Sequence, residues 1–364
     1  FFRKLGGKRY IIMEKDFIIY FICPTNKYAT GGVKQMYRQV DILKSAGINA
    51  RILHKWHGNK EKWLENNPPI SYNPYIFKQI KYIAKSKSIN LLRRITLFLL
   101  KLVSKKLESN SILVFPEFYG LNAHKIIPNL PRVIFNQNCY YTFDHSTNFE
   151  LQKNTYTDDK TLAVLTVSED SQSYLKYVFP DISIHKLRLG INNKLFFYSQ
   201  EKKKQICFMP RKLSHDISQV IKILQLKGID SSWNLIPIEN KSEREVAKIM
   251  RESAIFLSFN HREGFGLPPA EAMACGCIVV GYKGRGGEEY FNPEFSYSIE
   301  EGDIIGYVNK IIYVIGLFET HLDLVTSQRK QASDFILTNY SIANEIDDVK
   351  TSWKNIIERY HEVF

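Results

Sequence analysis

The stretch from residue 254 to 291, AIFLSFNHREGFGLPPAEAMACGCIVVGYKGRGGEEYF, leaves few ways to fold. Ile255 to Phe259 is a short apolar run of the kind buried in a parallel sheet. A polar loop is expected over Asn260 to Glu263, followed by Gly264, Phe265 and Gly266. Pro268 and Pro269 fit only the first turn of a helix, where no N–H is needed. The helix continues through Ala270 to Ala274, Gly276 stops it, and Cys277 to Val280 form the next strand. The helix N-terminus therefore faces out from the carboxyl end of a strand. Its unpaired N–H groups and positive dipole end suit a phosphate.

Glu263 stands just before that terminus and Glu271 lies near its start. Carboxylates do not ligate phosphate, but they accept hydrogen bonds from the hydroxyls of a sugar or ribose joined to it. A second reading of the same residues is plain: glycines that turn the chain, and Glu271 complementing the helix dipole. The complete string is more specific. Glu263-Gly264-Phe265-Gly266-Leu267, with Glu271-Ala272-Met273-Ala274 and Gly276, resembles the E-x7-E signature of retaining glycosyltransferases with the GT-B fold, the large family 4. The resemblance implies that Glu263 contacts the donor sugar and Glu271 the ribose hydroxyls. It also implies an α/β fold of two Rossmann-like, doubly wound domains facing each other across a cleft, with a C-terminal helix crossing back to the first.

A chain of 364 residues exceeds one hydrophobic core and fits two domains. The expected division is 13–198 for an acceptor-binding domain, 199–340 for a nucleotide-sugar-binding domain, and 341–364 for the returning helix. Leu187-Arg188-Leu189-Gly190-Ile191-Asn192 with Phe196 resembles the family's interdomain segment, and Ser199 to Lys204 reads as a charged linker. A hydrophobic content of 44% is ordinary for a globular protein, so disorder is not the default. Cys23, Cys139, Cys207, Cys275 and Cys277 are odd in number and mostly sit in apolar runs, as buried thiols of a reducing cytosol would. Cys275-x-Cys277 has no second pair to make a zinc site. No Asp-x-Asp pair occurs, and neither a metal nor another cofactor is expected beside the nucleotide diphosphate sugar. No apolar run is long enough to span a membrane, and the early apolar run lacks a signal cleavage site. The chain begins with Phe, so the native start is expected at Met13 or in a longer parent.

The first half opens with a strand over Phe17 to Pro24, then Gly31-Gly32, a helix over Val33 to Ala46 and a strand over Ile48 to His54. Glycines at such a strand-to-helix turn let backbone approach a ligand, or simply turn the chain. By resemblance, Gly31 and Gly32 match the glycine loop set against the donor diphosphate. Charge is uneven: residues 1–110 carry 22 Lys and Arg against 6 Asp and Glu, and the remainder 28 against 31. An anionic partner for this half follows: nucleic acid, anionic lipid or an acidic saccharide. No nucleic-acid reader motif is present, so nucleic acid is not expected. Lys78 to Lys106 holds nine basic residues and no acid. Within it, Asn90, Arg93, Arg94, Lys101, Ser104 and Lys105 share one helical face, and Leu91, Leu92, Ile95, Phe98, Leu99, Leu102 and Val103 cover most of the other. Either segment 78–107 makes peripheral contact with an anionic membrane, or this is a surface helix whose apolar face enters the core.

Beyond the strand Arg132 to Asn136, the amides of Asn136 and Asn138 and the ring of Tyr140 are candidates for an acceptor or sugar wall, although buried aromatics are commoner in cores. Family members carry a His there, absent here, and His145 is too distant to replace it. In the second half, a strand over Gln205 to Phe208 delivers Arg211 and Lys212 at its carboxyl end, where ligands of parallel sheets bind. Resemblance implies an Arg and a later Lys neutralising the leaving diphosphate. Arg211 fits, but His215 and Asp216 occupy the Lys position, so Lys212 takes the second role; ordinary surface cations are the alternative. Ile238 lies where relatives seat the base, and Ser242-x-x-Glu245 is a capping box.

The expected activity is transfer of a hexose-type sugar to a saccharide or lipid-linked saccharide, with retention and without metal, in surface polysaccharide synthesis. Glu263, Arg211 and Lys212 are the catalytic candidates. Gly31, Gly32, Gly264, Phe265, Gly266, Leu267, Glu271 and Ile238 are the donor-binding ones. A cytoplasmic protein, at the inner face of the membrane, fits this reading. The alternative is a catalytically silent GT-B binding module whose basic first half holds an anionic polymer or membrane.

Overall fold

The computed structural model describes residues 2–5, 8–11, 17–25, 30–58, 67–84, 90–143, 154–210, 213–228 and 232–364. The chain divides into two α/β units, one of Phe1–Thr166, Gln172–Leu187 and Asp347–Phe364, the other of Val167–Ser171 and Arg188–Ile346. Near the start, β1 (Phe2–Leu5) and β2 (Lys8–Ile11) pair antiparallel, apart from either main sheet.

In the first unit β3 (Ile18–Ile22) is buried along its whole length. Helix α1 (Gly31–Ser45) buries Val33, Met36, Tyr37, Val40 and Leu43, the helical spacing of an amphipathic face. Gly47, at φ 80°, ends it, and Ile48 N–H reaches back to the Leu43 carbonyl. Then follow β4 (Ala50–His54), β5 (Ile70–Tyr72), α2 (Pro74–Ala84), α3 (Leu91–Val103), β6 (Ser111–Pro116), β7 (Arg132–Asn136), β8 (Thr161–Thr166), α4 (Glu169–Val178) and β9 (Ile184–Lys186). All seven strands of this sheet are parallel, in the order β5-β4-β3-β6-β7-β8-β9. The chain steps outward from β3 to β5 and resumes on the other side at β6. The switch point, where parallel sheets bind ligands, thus lies between β3 and β6.

The second unit repeats the plan with β10 (Lys203–Phe208), α5 (Ser214–Leu226), β11 (Asn234–Pro237), α6 (Glu243–Glu252), β12 (Ser253–Glu263), α7 (Leu267–Ala274), β13 (Ile278–Arg285), β14 (Ser296–Ser298), α8 (Ile304–Thr320) and α9 (Leu322–Asn339). Its parallel sheet runs β11-β10-β12-β13-β14, with the switch point between β10 and β12. Ser242 and Glu245 form both halves of a capping box on α6. Helix α10 (Ile342–Val363) begins in the second unit, and from Asp347 on it belongs to the first. There Trp353 is buried against Phe21, ring centroids 5.9 Å apart, and Tyr360 meets Phe17 at 5.9 Å.

Two local expectations are corrected. Asn260 to Glu263 is not a loop: β12 continues through it, pairing Asn260 with Lys283 and Glu263 with Arg285 across a bulge. Nor does the apolar face of α3 enter a core, since none of its residues is buried. The five cysteines are all free and buried. Among the described residues, no helix is long and apolar enough to cross a membrane.

Candidate active site

The second unit's candidate site is built where β12 ends beside β10. Gly266 caps α7 in the left-handed region, φ 84° and ψ 67°, a conformation open to glycine at little cost. A Cβ there would collide with the Asn260 amide and come within 2.9 Å of the Tyr290 hydroxyl. Because Pro268 and Pro269 carry no N–H, the donors this terminus can aim outward are the amides of Gly266 and Leu267. At the far end Gly276, φ 78°, closes α7: its N–H bonds Met273 and that of Cys277 bonds Ala272, both at 2.9 Å.

The loop is fixed from behind by a residue that the sequence reading does not single out. Tyr290 is buried, and its hydroxyl donates to the Gly266 carbonyl at 2.6 Å and to that of Phe265 at 3.1 Å. Its ring lies 5.1 Å from Phe265, which also packs on Tyr340 at 5.0 Å. Burial drives the Tyr290 phenol well above its ordinary range, and the nearby carboxylates of Glu263, Glu289 and Glu271 push it further. It stays a neutral donor at any working pH. Glu289 is spent on structure, accepting from Tyr340 at 3.0 Å and from the Glu169 N–H at 2.9 Å. Gly286 completes the support: a Cβ on it would run into the Gly264 carbonyl and within 2.7 Å of the Glu263 carbonyl oxygen. Glu263 and Glu271 are both half-exposed, at either end of this braced turn. Phe265 is buried, so its share in the site is packing.

Ile238 is buried just past β11, and its N–H is committed to the Phe208 carbonyl at 2.8 Å, which leaves its carbonyl as the group to offer a ligand. Arg211 and Lys212, at the carboxyl side of β10, lie outside the described residues, as does His145.

In the first unit, Gly31 and Gly32 are the first two residues of α1, directly at the switch point. The Gln137 side-chain N–H donates to the Gly32 carbonyl at 3.1 Å, tying the end of β7 to the start of α1. A side chain on Gly32 would crowd that amide, 3.4 Å away. Glu117, which follows β6, is buried and accepts from the Gln137 N–H at 3.1 Å. Burial pushes its carboxyl up to about 7 despite the backbone N–H groups of Gln137 and Asn138 that favour the anion. Asn136 turns inward, its amide donating to Thr142 at 3.0 Å and Tyr156 at 2.9 Å. Asn138 accepts from the Tyr140 N–H at 3.1 Å, and the half-buried Tyr140 ring leans on Tyr174 at 5.6 Å. The structure thus brings Glu263, Gly264, Phe265, Gly266, Leu267 and Glu271 together on one turn and Gly31, Gly32 and Gln137 at another.

Two doubly wound parallel units, one with a glycine-capped helix at its switch point, define the GT-B fold of nucleotide-sugar glycosyltransferases. Comparison with known proteins agrees. Residues 232–331, which hold β12, α7, β13 and Tyr290, match the family "Glycosyl transferases group 1". An alpha-1,6-glucosyltransferase of Actinobacillus pleuropneumoniae serotype 7 (strain AP76) is 28% identical over 318 residues, 83% of this chain and 84% of that protein. Sucrose-phosphate synthase from Thermosynechococcus elongatus superposes with a TM-score of 0.64 at 11% identity, over 94% of this chain and 100% of that one. The Anabaena protein HepE, solved with UDP and glucose, gives 0.61 at 13% identity, over 93% and 99%. The chain has the GT-B fold, and residues 232–331 of its second unit match the group 1 glycosyl transferases.

Proposed function

We propose that this chain is a glycosyltransferase that moves glucose from UDP-glucose to a hydroxyl of a saccharide or lipid-linked saccharide, with retention, in the assembly of a surface polysaccharide. The observation that carries the reading is the braced turn from Glu263 to Glu271, at the second unit's switch point and inside the family-matched segment. Glucose and UDP are suggested by the alpha-1,6-glucosyltransferase relative and by the HepE complex. An α-linked product formed from an α-linked donor implies retention.

Breaking the anomeric C–O bond leaves charge on the departing diphosphate, and that charge is the largest barrier to be offset. The Gly266 and Leu267 amides would face it; Arg211, Lys212 and the Gly31-Gly32 backbone are the further groups that the family resemblance assigns to it. These positive groups do the work a metal does elsewhere, so turnover is expected without one. Glu263 accepts from the sugar hydroxyls and Glu271 from the ribose; neither acts as a glycosidase acid or nucleophile. The Ile238 carbonyl faces the base. The acceptor oxygen bonds the anomeric carbon as the donor bond breaks, and its proton passes to the leaving diphosphate. Tyr140 forms the acceptor wall, with Asn136 and Asn138 setting the loop behind it.

The test is release of UDP from UDP-glucose by the full chain with a panel of saccharide acceptors, in the presence of a chelator. Wild type should turn over, and a folded Glu263→Ala variant should lose at least about a hundredfold in rate. A folded wild type that binds none of UDP, GDP, TDP, CMP and ADP would overturn the transferase reading and leave a binding module.

A further inference from the structure

Helix α3 stands outside everything the transfer reaction uses, and it is the most exposed apolar element described. Leu91, Leu92, Phe98, Leu102 and Val103 are each between 62% and 73% exposed. At 100° per residue they fill an arc of about 140° on one side of the helix. Arg93, Thr96, Leu97 and Leu100 are half-buried and lie on the opposite side, toward the unit. Arg94 and Lys101 sit together on one flank of the apolar arc, and Lys105 follows the helix with its side chain 82% exposed.

Polar contacts act at both ends of the helix. Asn90 caps it by accepting from the Arg93 N–H at 3.1 Å. At the other end, Ser104 accepts from the Tyr75 N–H at 3.1 Å and the Lys105 carbonyl accepts from Asn73 at 3.0 Å. The Arg93 guanidinium lies 5.4 Å from the Tyr82 ring centroid on α2. Glu108, the acid that follows, is engaged by the Tyr20 hydroxyl at 2.7 Å and lies 3.7 Å from Lys105. Its ion pair is with Lys105, so the cationic flank is carried by Arg94 and Lys101.

We propose that α3 is a docking surface for an anionic lipid bilayer, its apolar arc entering the headgroup boundary and its cations meeting lipid phosphates. An exposed apolar face of this size marks an interaction surface rather than a plain water-facing helix. Thirteen residues span roughly 20 Å, short of a bilayer's hydrocarbon thickness, so the helix lies in the interface plane. The charge decides against a second copy of the chain as occupant. Pairing two such faces antiparallel would set Arg94 and Lys101 of one copy beside those of the other, whereas anionic headgroups complement them. This inference stands apart from the identity of donor and acceptor.

The experiment is co-sedimentation of the full chain with phosphatidylcholine vesicles, alone or containing phosphatidylglycerol. Wild type should partition at least about tenfold more strongly onto the anionic vesicles. A triple variant, Leu92→Asp, Phe98→Asp and Leu102→Asp, should lose that binding, as should Arg94→Glu with Lys101→Glu. All five side chains are at the surface, and circular dichroism checks that the variants fold. Equal binding to both vesicle types, no binding to either, or an unchanged triple variant would overturn the proposal. So would light scattering that finds a wild-type dimer and a monomeric triple variant, since a second copy would then be the occupant.

Discussion

Replacing Tyr290 with Phe removes one oxygen and little else. The ring keeps its packing on Phe265 and Tyr340, but the carbonyls of Gly266 and Phe265 lose the buried donor they share. Leaving buried acceptors short of a partner costs ~2 kcal/mol, which lowers the melting temperature of a unit of this size by ~4–8 °C. Stability alone would not show that the turn matters for the ligand, so a matched control is needed. Tyr307 is equally buried, and its hydroxyl also serves two carbonyls, Ser258 at 2.9 Å and Val280 at 3.0 Å, within the sheet and away from the turn. Both Tyr290→Phe and Tyr307→Phe should destabilise by similar amounts in urea unfolding. Only Tyr290→Phe should also weaken UDP binding by calorimetry, by roughly tenfold. Equal UDP affinity in the two variants, at equal loss of stability, would refute the claim that the phenol holds the donor turn.

Three further outcomes are expected. Gly286→Ala should weaken UDP binding and cost ~1–3 kcal/mol in urea unfolding, because its methyl group must displace the backbone of Glu263 and Gly264. Glu117 binds its proton more tightly when folded, so its contribution is complete below the unfolded carboxyl value of 4.5 and is lost as pH rises through about 7. Glu117→Gln should therefore match wild type in urea unfolding at acid pH and exceed it above pH 7 by on the order of 3 kcal/mol. Asp158→Ala leaves the buried Arg132 guanidinium without its carboxylate at 3.0 Å, and thermal unfolding should show a loss of about 3 kcal/mol with UDP affinity unchanged.

What the sequence discloses is the chemistry that acts locally. A glycine at positive φ, two prolines in a first turn and Gly276 at a helix end each dictate backbone geometry by themselves, so the β12–α7–β13 unit is readable. Asn260 to Glu263 reads as a loop because of its polarity. The strand persists there because Gly284 on β13 has no Cβ, and one would fall 2.5 Å from the Asn260 Cβ. Tyr290 and Gly286 stand in the same stretch, but the fold alone brings them back beneath residues 263 to 266. Their signal is slight, a Gly-Gly pair followed shortly by a buried-type aromatic. For α3 the two faces are evident, yet periodicity cannot say which face the rest of the unit covers. Asn136 shows the reverse limit, since its inward turn depends on Thr142, six residues on, and on Tyr156, twenty residues on.

The turn from Glu263 to Glu271 is the proposed seat of the nucleotide. Isothermal calorimetry of UDP with the full chain, beside a folded Glu271→Ala variant, tests this most directly. Wild type should bind UDP without added metal, and the variant should bind at least about tenfold more weakly, as expected when a carboxylate's hydrogen bonds to ribose hydroxyls are removed. Equal affinity of the two proteins for UDP would contradict it.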